Sequence, residues 1–208
     1  MKLTNIASLD PVLTSTGRNG LSGASLADRK MWEEMQNNWE SFALESEAAI
    51  VKITQDEKKP DTAEPNNDDV IDYSGLDKEI KTKARIGQSF FRRSVLSAYS
   101  YKCCITGLAI PELLVASHIV PWRIDPSNRL NPKNGLSLSM LHDRAFDLGF
   151  ITINDDMTLR VSRIQNSKND HFFQVTFKSY ENKPIALPEK FAPTQEFLAY
   201  HRENIYQE

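Results

Sequence analysis

The spacing of apolar residues predicts a long helix near the start of the chain. Ser25 has the character of a helix N-cap because Asp28 follows three positions later, and apolar residues then recur at helical spacing to about residue 52. The stripe consists of Trp32, Met35, Trp39, Phe42, Ala49 and Ile53. An apolar stripe must be covered, so we expect it to pack on the neighbouring domain or on a second copy of the chain. Residues 1–24, rich in Ser, Thr, Gly and Asn, are expected to form an irregular arm.

A polar, acidic segment follows the predicted helix. Residues 55–72 contain two prolines and few apolar side chains. Ordering such a segment costs conformational entropy, with little burial to offset the cost. The sequence therefore predicts an N-terminal arm and amphipathic helix over residues 1–54, a flexible linker over 55–75, and a second domain over 76–208.

The start of the second domain combines helical and extended patterns. A helical pattern covers residues 76–101, a short β-prone stretch begins at Cys103, and the apolar run 113–120 is long enough for a buried strand. Three prolines make residues 121–134 a loop. The next predicted element is a short helix from Met140 to Asp147, ended by Gly149.

Shorter elements are predicted for the rest of the chain. Residues 151–153 and 158–161 flank a turn-forming tetrapeptide and predict a β-hairpin, and residues 175–177 are a candidate further strand. Thr194 has the character of an N-cap for a last helix that runs to Tyr206. Helices and short strands in this order predict an α+β fold.

Length and composition narrow the class of protein. The 208 residues are 40% apolar and 25% charged, which suits one core with appended segments or two small domains. No apolar run approaches the roughly 20 residues of a membrane helix, and the first residues lack a signal-peptide pattern, so we expect a cytoplasmic protein. The two cysteines, Cys103 and Cys104, are adjacent, which predicts neither a disulfide nor a structural zinc site.

Charge is distributed unevenly along the chain. Residues 1–77 carry 7 basic and 15 acidic residues, whereas residues 78–208 carry 18 basic and 13 acidic residues, so the small net charge of −3 conceals a basic second half. The stretch from Lys81 to Lys102 contains six basic residues and no acidic residue. Such a stretch attracts polyanions, although a solvated helix face has the same composition.

Three polar residues of the basic half could act together on a phosphodiester. His118 lies near the end of the candidate strand, Asn134 closes the proline-rich loop, and His142 lies on the short helix. Hydrolysis needs a base for water and a cation for the charge on the leaving oxygen, and a neutral imidazole with a histidine-bound divalent ion supplies both. A lone histidine in an apolar run is more often a buried structural residue, but the three residues together favour a site.

At these positions the sequence closely resembles the HNH endonuclease family. The resemblance extends over about residues 85–162. It is carried by GQSFFRR (87–93), YKCCITG (101–107), ASHIVPW (116–122), NGLSL (134–138) and LHDRAFD (141–147). It implies a ββα-metal core at about residues 101–162, with an extra β-hairpin, flanking helices and the N-terminal helical segment around it.

The resemblance also implies roles for individual residues. His118 would be the general base, Asn134 would pin the loop that orients it, and His142 would bind one divalent metal ion, Mg²⁺ or Mn²⁺. Ser117 stands where many members have Asp or His before the base, and a hydroxyl is a poor Mg²⁺ ligand. The ligand set therefore stays open, with Ser117, Asp143, Asp147, water and the substrate phosphate as candidates.

The expected function is metal-dependent cleavage of DNA, in restriction or phage defence. The alternative is a DNA-binding module that keeps the HNH fold with weak or no turnover. Expected phosphate contacts are Arg85, Arg92, Arg93, Arg123, Arg129, Lys133 and Arg144. A homodimer through the N-terminal helix is a further expectation, and no membrane partner is expected.

Overall fold

The computed structural model divides the chain into two compact units, Met1–Ser89 and Phe90–Glu208. The residues that the structure describes are 8–15, 17, 23–54, 77–163 and 170–208. The predicted linker at 55–75 lies outside these residues, so the domain boundaries derived from it stay predictions.

The first unit begins with short helical elements. Helix α1 spans Pro11–Ser15, within the arm that was predicted to be irregular, so that prediction is wrong at these residues. Helix α2 spans Leu26–Asn37. Its predicted start is confirmed, because Ser25 and Asp28 exchange side-chain and backbone hydrogen bonds in a capping box.

The prediction of a single helix to residue 52 is wrong, because the helix is interrupted at Asn38. Asn38 has φ −151° and ψ 86°, and its side chain accepts a hydrogen bond from the Ser41 N–H at 3.0 Å. The second helix, α3, spans Trp39–Thr54 and contacts α2. Ala43 is fully buried, whereas Trp32, Met35 and Phe42 are half-buried and Ala49 is exposed. The side chains of Trp39 and Ile53 lie outside the described residues.

Helix α4 spans Asp77–Ala98 and contains the division between the two units. Its last turns bury Phe91, Val95 and Leu96. The following segment, Cys103–Thr106, was predicted to be β-prone but forms turns, with the Gly107 N–H donating to the Cys103 carbonyl at 2.9 Å. Gly107 has φ +73°, a conformation that glycine adopts without steric cost.

An antiparallel hairpin forms the centre of the second unit. Strand β1 spans Leu114–His118, strand β2 spans Gly135–Ser139, and His118 pairs with Gly135. Helix α5, Met140–Asp147, follows β2 directly and contacts both strands. The hydroxyl of Ser139 caps this helix. The predicted strand and short helix are thus confirmed, although the strand is shorter than the run 113–120.

Helices α4 and α5 pack on opposite faces of this hairpin. A Cβ added to Gly135 would lie 2.9 Å from Phe91 Cζ and still closer to Val95 Cγ2, so α4 covers the face that carries Gly135 and its partner His118. Side chains alternate along a strand, and Ser117 on the other face lies near Asp143 of α5. Gly135 therefore allows α4 to approach the hairpin closely.

The predicted second hairpin is confirmed, with β3 at Ile151–Ile153 antiparallel to β4 at Leu159–Val161. The prediction of a strand at 175–177 is wrong. That region contains α6, His171–Thr176, capped by Asp170, whose carboxylate accepts from the Phe173 N–H at 3.1 Å. Helix α7 spans Gln195–Asn204 and starts after Thr194 as predicted.

Gly149 ends α5 as predicted and ties the C-terminal residues to it. It has φ +72°, its carbonyl accepts from the Gln207 N–H at 3.0 Å, and a Cβ added here would overlap the Ile205 carbonyl oxygen. The α+β prediction is confirmed. Within the described ranges, no helix combines the length and the apolar composition needed to cross a membrane.

Candidate active site

The imidazole of His118 is held by the loop that follows β1. Its Nε2 lies 2.8 Å from the backbone carbonyl oxygen of Arg129. Because a carbonyl oxygen only accepts hydrogen bonds, Nε2 carries the proton of the neutral ring and the lone pair lies on Nδ1. The tautomer inferred from this contact leaves Nδ1 as the ring atom that can accept a proton.

Aromatic rings surround the same imidazole. Phe91 of α4 stacks on it with 3.8 Å between ring centroids and 9° between planes, and Trp122 presents its edge at 5.5 Å. Burial lowers the pKa of His118 from 6.5 to about 4, an effect that the Arg129 carbonyl opposes. The ring is therefore neutral at physiological pH, as a general base requires.

Asn134 joins the two ends of the loop 119–134. Its side chain is 1% exposed, its Oδ1 accepts from the Val120 N–H at 2.8 Å, and its Nδ2 donates to the carbonyls of Val120 and Asn128 at 3.1 and 3.3 Å. Its backbone carbonyl accepts from the Ile119 N–H at 3.0 Å. These bonds fix the backbone immediately after His118.

Polar side chains inside the loop stiffen it further. Asp125 accepts hydrogen bonds from the Ser127 N–H and from Asn128 Nδ2, and Asn131 Nδ2 donates to Asn128 Oδ1 at 2.9 Å. Arg129 lies between these hydrogen-bonded residues, and its Nε donates to the Trp122 carbonyl at 2.8 Å. The loop thus has a hydrogen-bond network of its own.

His142 lies on α5 with both ring nitrogens engaged. Nε2 lies 3.0 Å from the Thr176 carbonyl oxygen at the end of α6, and Nδ1 lies 2.8 Å from Ser139 Oγ. The ring is 2% exposed and contacts the rings of Phe177 and Tyr180. Burial lowers the pKa of His142, an effect that the hydrogen bond to the Thr176 carbonyl opposes.

The carboxylate and hydroxyl candidates have different surroundings. The Ser117 hydroxyl is buried and makes no hydrogen bond of good geometry with the described residues. It lies close enough to Asp143 to oppose, together with Arg144, the rise that burial causes in the pKa of the Asp143 carboxyl. Asp147 is the last residue of α5, and its side chain is exposed.

The part of the chain that the structure describes holds no ready-made set of side-chain ligands for a divalent ion. No group of three His, Cys, Asp or Glu residues converges among the residues that the structure describes. A metal bound to His142 would have to displace either the Thr176 carbonyl or the Ser139 hydroxyl from the ring nitrogens. Nor does any hydrogen bond or ring contact among the described residues join His118 to His142.

The predicted phosphate contacts are in several environments. The Arg92 guanidinium donates to the Leu114 and Pro111 carbonyls at 2.7 and 3.1 Å, and therefore supports the entry into β1. Arg129 is half-buried and bound to Trp122, whereas Lys133 is half-buried on the same loop. The exposed candidates are Arg93, Arg123 and Arg144. The side chain of Arg85 lies outside the described residues.

Two contacts around the histidines had no distinct signal in the sequence. Phe91 is one of several apolar residues on α4, and nothing in its spacing shows that it stacks on His118. Thr176 is 34 residues from His142 and uses its backbone carbonyl, which any residue could supply. Trp122 lies in the motif ASHIVPW (116–122), but the motif does not show that its ring meets the imidazole.

Comparison with known proteins shows what the segment around this site is similar to. No curated protein sequence matches the chain. Among solved structures, a modification-dependent TagI restriction endonuclease is similar over 56% of this chain and 38% of that chain, with 15% sequence identity and a TM-score of 0.41. The chain therefore spans well under half of that neighbour. Residues 103–154, which include His118, Asn134 and His142, match the HNH endonuclease family. The segment 103–154, about a quarter of the chain, is therefore similar to HNH endonucleases.

Proposed function

We propose that the chain is an endonuclease that hydrolyses DNA phosphodiester bonds with His118 as the general base. The observation that carries this proposal is the geometry of the His118 imidazole. The bond from Nε2 to the Arg129 carbonyl fixes the tautomer, and burial keeps the ring neutral. A neutral imidazole with one free lone pair is the form that can take a proton from water.

The chemical step follows from that tautomer. Nδ1 of His118 takes a proton from a water molecule, whose oxygen attacks phosphorus as the bond to the 3′-oxygen breaks. The 3′-oxygen leaves with the electron pair of that bond and takes a proton from solvent. Asn134 keeps the loop in place through its bonds to Val120 and thereby orients the base. The divalent ion implied by the resemblance, Mg²⁺ or Mn²⁺, belongs to the proposal as a requirement for cleavage, without an assigned ligand set.

A DNA-binding module with little or no turnover is the second candidate. The observation that favours it is the engagement of both His142 nitrogens by Ser139 and Thr176. A chain locked in this arrangement would bind DNA through its exposed basic residues without cutting it. The two candidates differ in cleavage and agree in binding.

Cleavage of supercoiled plasmid with Mg²⁺ or Mn²⁺, compared with EDTA, separates these candidates. We expect nicking that requires the metal and that falls by about 10²–10⁴-fold in His118→Ala, the range that general bases contribute. The matched control is His171→Ala, because His171 is exposed and outside the site. Binding without cleavage under all metal conditions would favour the second candidate.

The proposed cellular role is restriction or phage defence. Plating efficiency of phage on cells that express the wild-type chain or His118→Ala measures this role, and equal plating would contradict it. A homodimer through α2 and α3 is part of the same proposal. Light scattering of the full chain measures it, and a monomer at micromolar concentration would contradict it.

A further inference from the structure

Arg129 makes hydrogen bonds both to the His118 imidazole and to Trp122, the aromatic residue beside that imidazole. The Arg129 carbonyl accepts the Nε2–H of His118 at 2.8 Å, while the Arg129 Nε–H donates to the Trp122 carbonyl at 2.8 Å. The side chain of Arg129 therefore joins its own backbone to the other arm of the loop. His118 lies between the two arms.

Trp122 strengthens the same connection through its ring. The Arg129 guanidinium carbon lies 5.3 Å from the Trp122 ring centroid, within the range of a cation–π contact, and the Trp122 ring meets the His118 ring edge-on at 5.5 Å. Movement of the Arg129 side chain would thus disturb two contacts of the imidazole together, the carbonyl acceptor and the aromatic edge.

We propose that Arg129 is a positioning residue for His118, whose side chain closes the loop and so holds the backbone carbonyl that selects the Nε2–H tautomer. The inference rests on the proposed role of His118 as the base. Without the closure, the carbonyl can move away and the ring can adopt the Nδ1–H tautomer. In that form Nδ1 has no lone pair for a water proton, so the fraction of competent enzyme falls.

The competing interpretation is that Arg129 binds a DNA phosphate through its charge. The two roles use different parts of the side chain. Closure of the loop needs an N–H donor at the position of Nε, whereas a phosphate contact needs the positive charge. Glutamine separates them, because its amide nitrogen stands the same number of bonds from Cα as the arginine Nε and carries no charge.

The test compares Arg129→Ala with Arg129→Gln in the full chain. We expect Arg129→Ala to lower kcat by about 10- to 100-fold, the scale of a small misplacement of a catalytic group, with DNA affinity almost unchanged. Arg129→Gln should recover most of the lost kcat. Controls are Ser127→Ala, an exposed change in the same loop, and Arg163→Gln, which removes one exposed positive charge elsewhere.

A spectroscopic measurement tests the tautomer without cleavage. Long-range ¹H–¹⁵N correlation spectra of protein labelled at histidine nitrogens should show the Nε2–H form for His118 in wild type and in Arg129→Gln, and a mixture in Arg129→Ala. Since this readout needs no turnover, an inactive wild type would refute the proposed function and leave the positioning role measurable.

The inference is overturned if Arg129→Ala keeps the Nε2–H form and the wild-type kcat. It is also overturned if both variants lose DNA affinity equally and flatten its salt dependence, which is the signature of a phosphate contact. If Arg129→Ala does not fold, the Gln variant decides the question. Loss of kcat and of the Nε2–H pattern in folded Arg129→Gln would refute the donor role.

Discussion

Replacement of Phe91 by leucine should move the acid limit of DNA cleavage to higher pH. The Phe91 ring covers one face of the His118 imidazole at 3.8 Å, and burial lowers the pKa of that ring to about 4. A leucine side chain leaves part of this face open to water, which favours the charged ring. Cleavage requires the neutral base, so activity falls as the pH drops through the pKa of His118.

The size of the effect follows from the two limiting pKa values. The difference between 6.5 and about 4 corresponds to about 3 kcal/mol of less favourable protonation in the folded protein. At pH 5, a base with a pKa of about 4 is about nine-tenths neutral, whereas a base with a pKa of 6.5 is only about 3% neutral. We therefore expect Phe91→Leu to lose up to about 30-fold more activity than wild type between pH 8 and pH 5.

Single-turnover nicking of plasmid DNA from pH 4.5 to 8.5, at constant ionic strength, measures this acid limit. The matched control is Phe172→Leu, because Phe172 is 63% exposed and lies on α6. Nuclear magnetic resonance titration of His118 in wild type and in both variants gives its pKa directly. An acid limit shared by all three proteins, or a wild-type His118 that titrates near pH 6.5, would refute the reasoning.

Three further predictions concern stability. Gly149→Ala should lower the free energy of unfolding by about 2–4 kcal/mol, because its Cβ would meet a backbone carbonyl at positive φ, whereas Gly107→Ala, with open space around its Cβ, should cost only about 1–2 kcal/mol. Chemical denaturation of both variants checks this, and equal losses would contradict it. Asn134→Ala should cost about 2–4 kcal/mol, because it leaves the buried N–H and carbonyl of Val120 without their side-chain partner, and a loss below about 1 kcal/mol would show that the loop does not depend on it. His201, whose pKa burial lowers to about 4, binds its proton more readily in the unfolded chain, so stability should fall as the pH drops from about 6.5 towards 4. His201→Gln should reduce the loss of stability between pH 7 and 4.5 by about 2 kcal/mol, measured by urea unfolding at both pH values, and an unchanged loss would contradict this assignment.

Local signals in the sequence predicted the parts of the fold that depend on neighbouring residues. The Ser25–Asp28 capping box, the glycine that ends α5, and the strand that carries His118 all depend on residues within a few positions of one another. The family motifs were confirmed over residues 103–154 because they too are local patterns. The roles assigned to individual residues within them stay predictions.

Other features depended on a competition that the sequence pattern does not resolve. The apolar stripe continues through Asn38, so its spacing gave no sign that the side chain of this residue would cap a new helix. The β-branched and aromatic residues at 175–177 favoured a strand, but the Asp170 cap favours a helix there. The sequence predicted that Arg92 contacts a phosphate, but its guanidinium donates to two backbone carbonyls more than 15 residues away in sequence.

The surroundings of His142 could not be predicted for a related reason. Its partner Thr176 is distant in sequence and contributes only a backbone carbonyl, left without an intrahelical partner at the end of α6. Motif spacing reports which residue types are present and not which of their atoms are already engaged. The sequence therefore suggested a metal ligand at a position where the structure shows two occupied ring nitrogens.

Chemical rescue of His118→Gly by imidazole tests most directly the central claim that His118 supplies the base. Removal of the ring leaves a space beside Phe91 and Trp122 that free imidazole can enter. We predict that His118→Gly binds DNA normally, loses about 10²–10⁴-fold in cleavage rate, and recovers activity in proportion to the concentration of neutral imidazole. His171→Gly should be unaffected by the same additions. Retention of more than about a hundredth of the wild-type rate by His118→Gly without imidazole, or intact DNA binding with no recovery at any imidazole concentration, would contradict the claim.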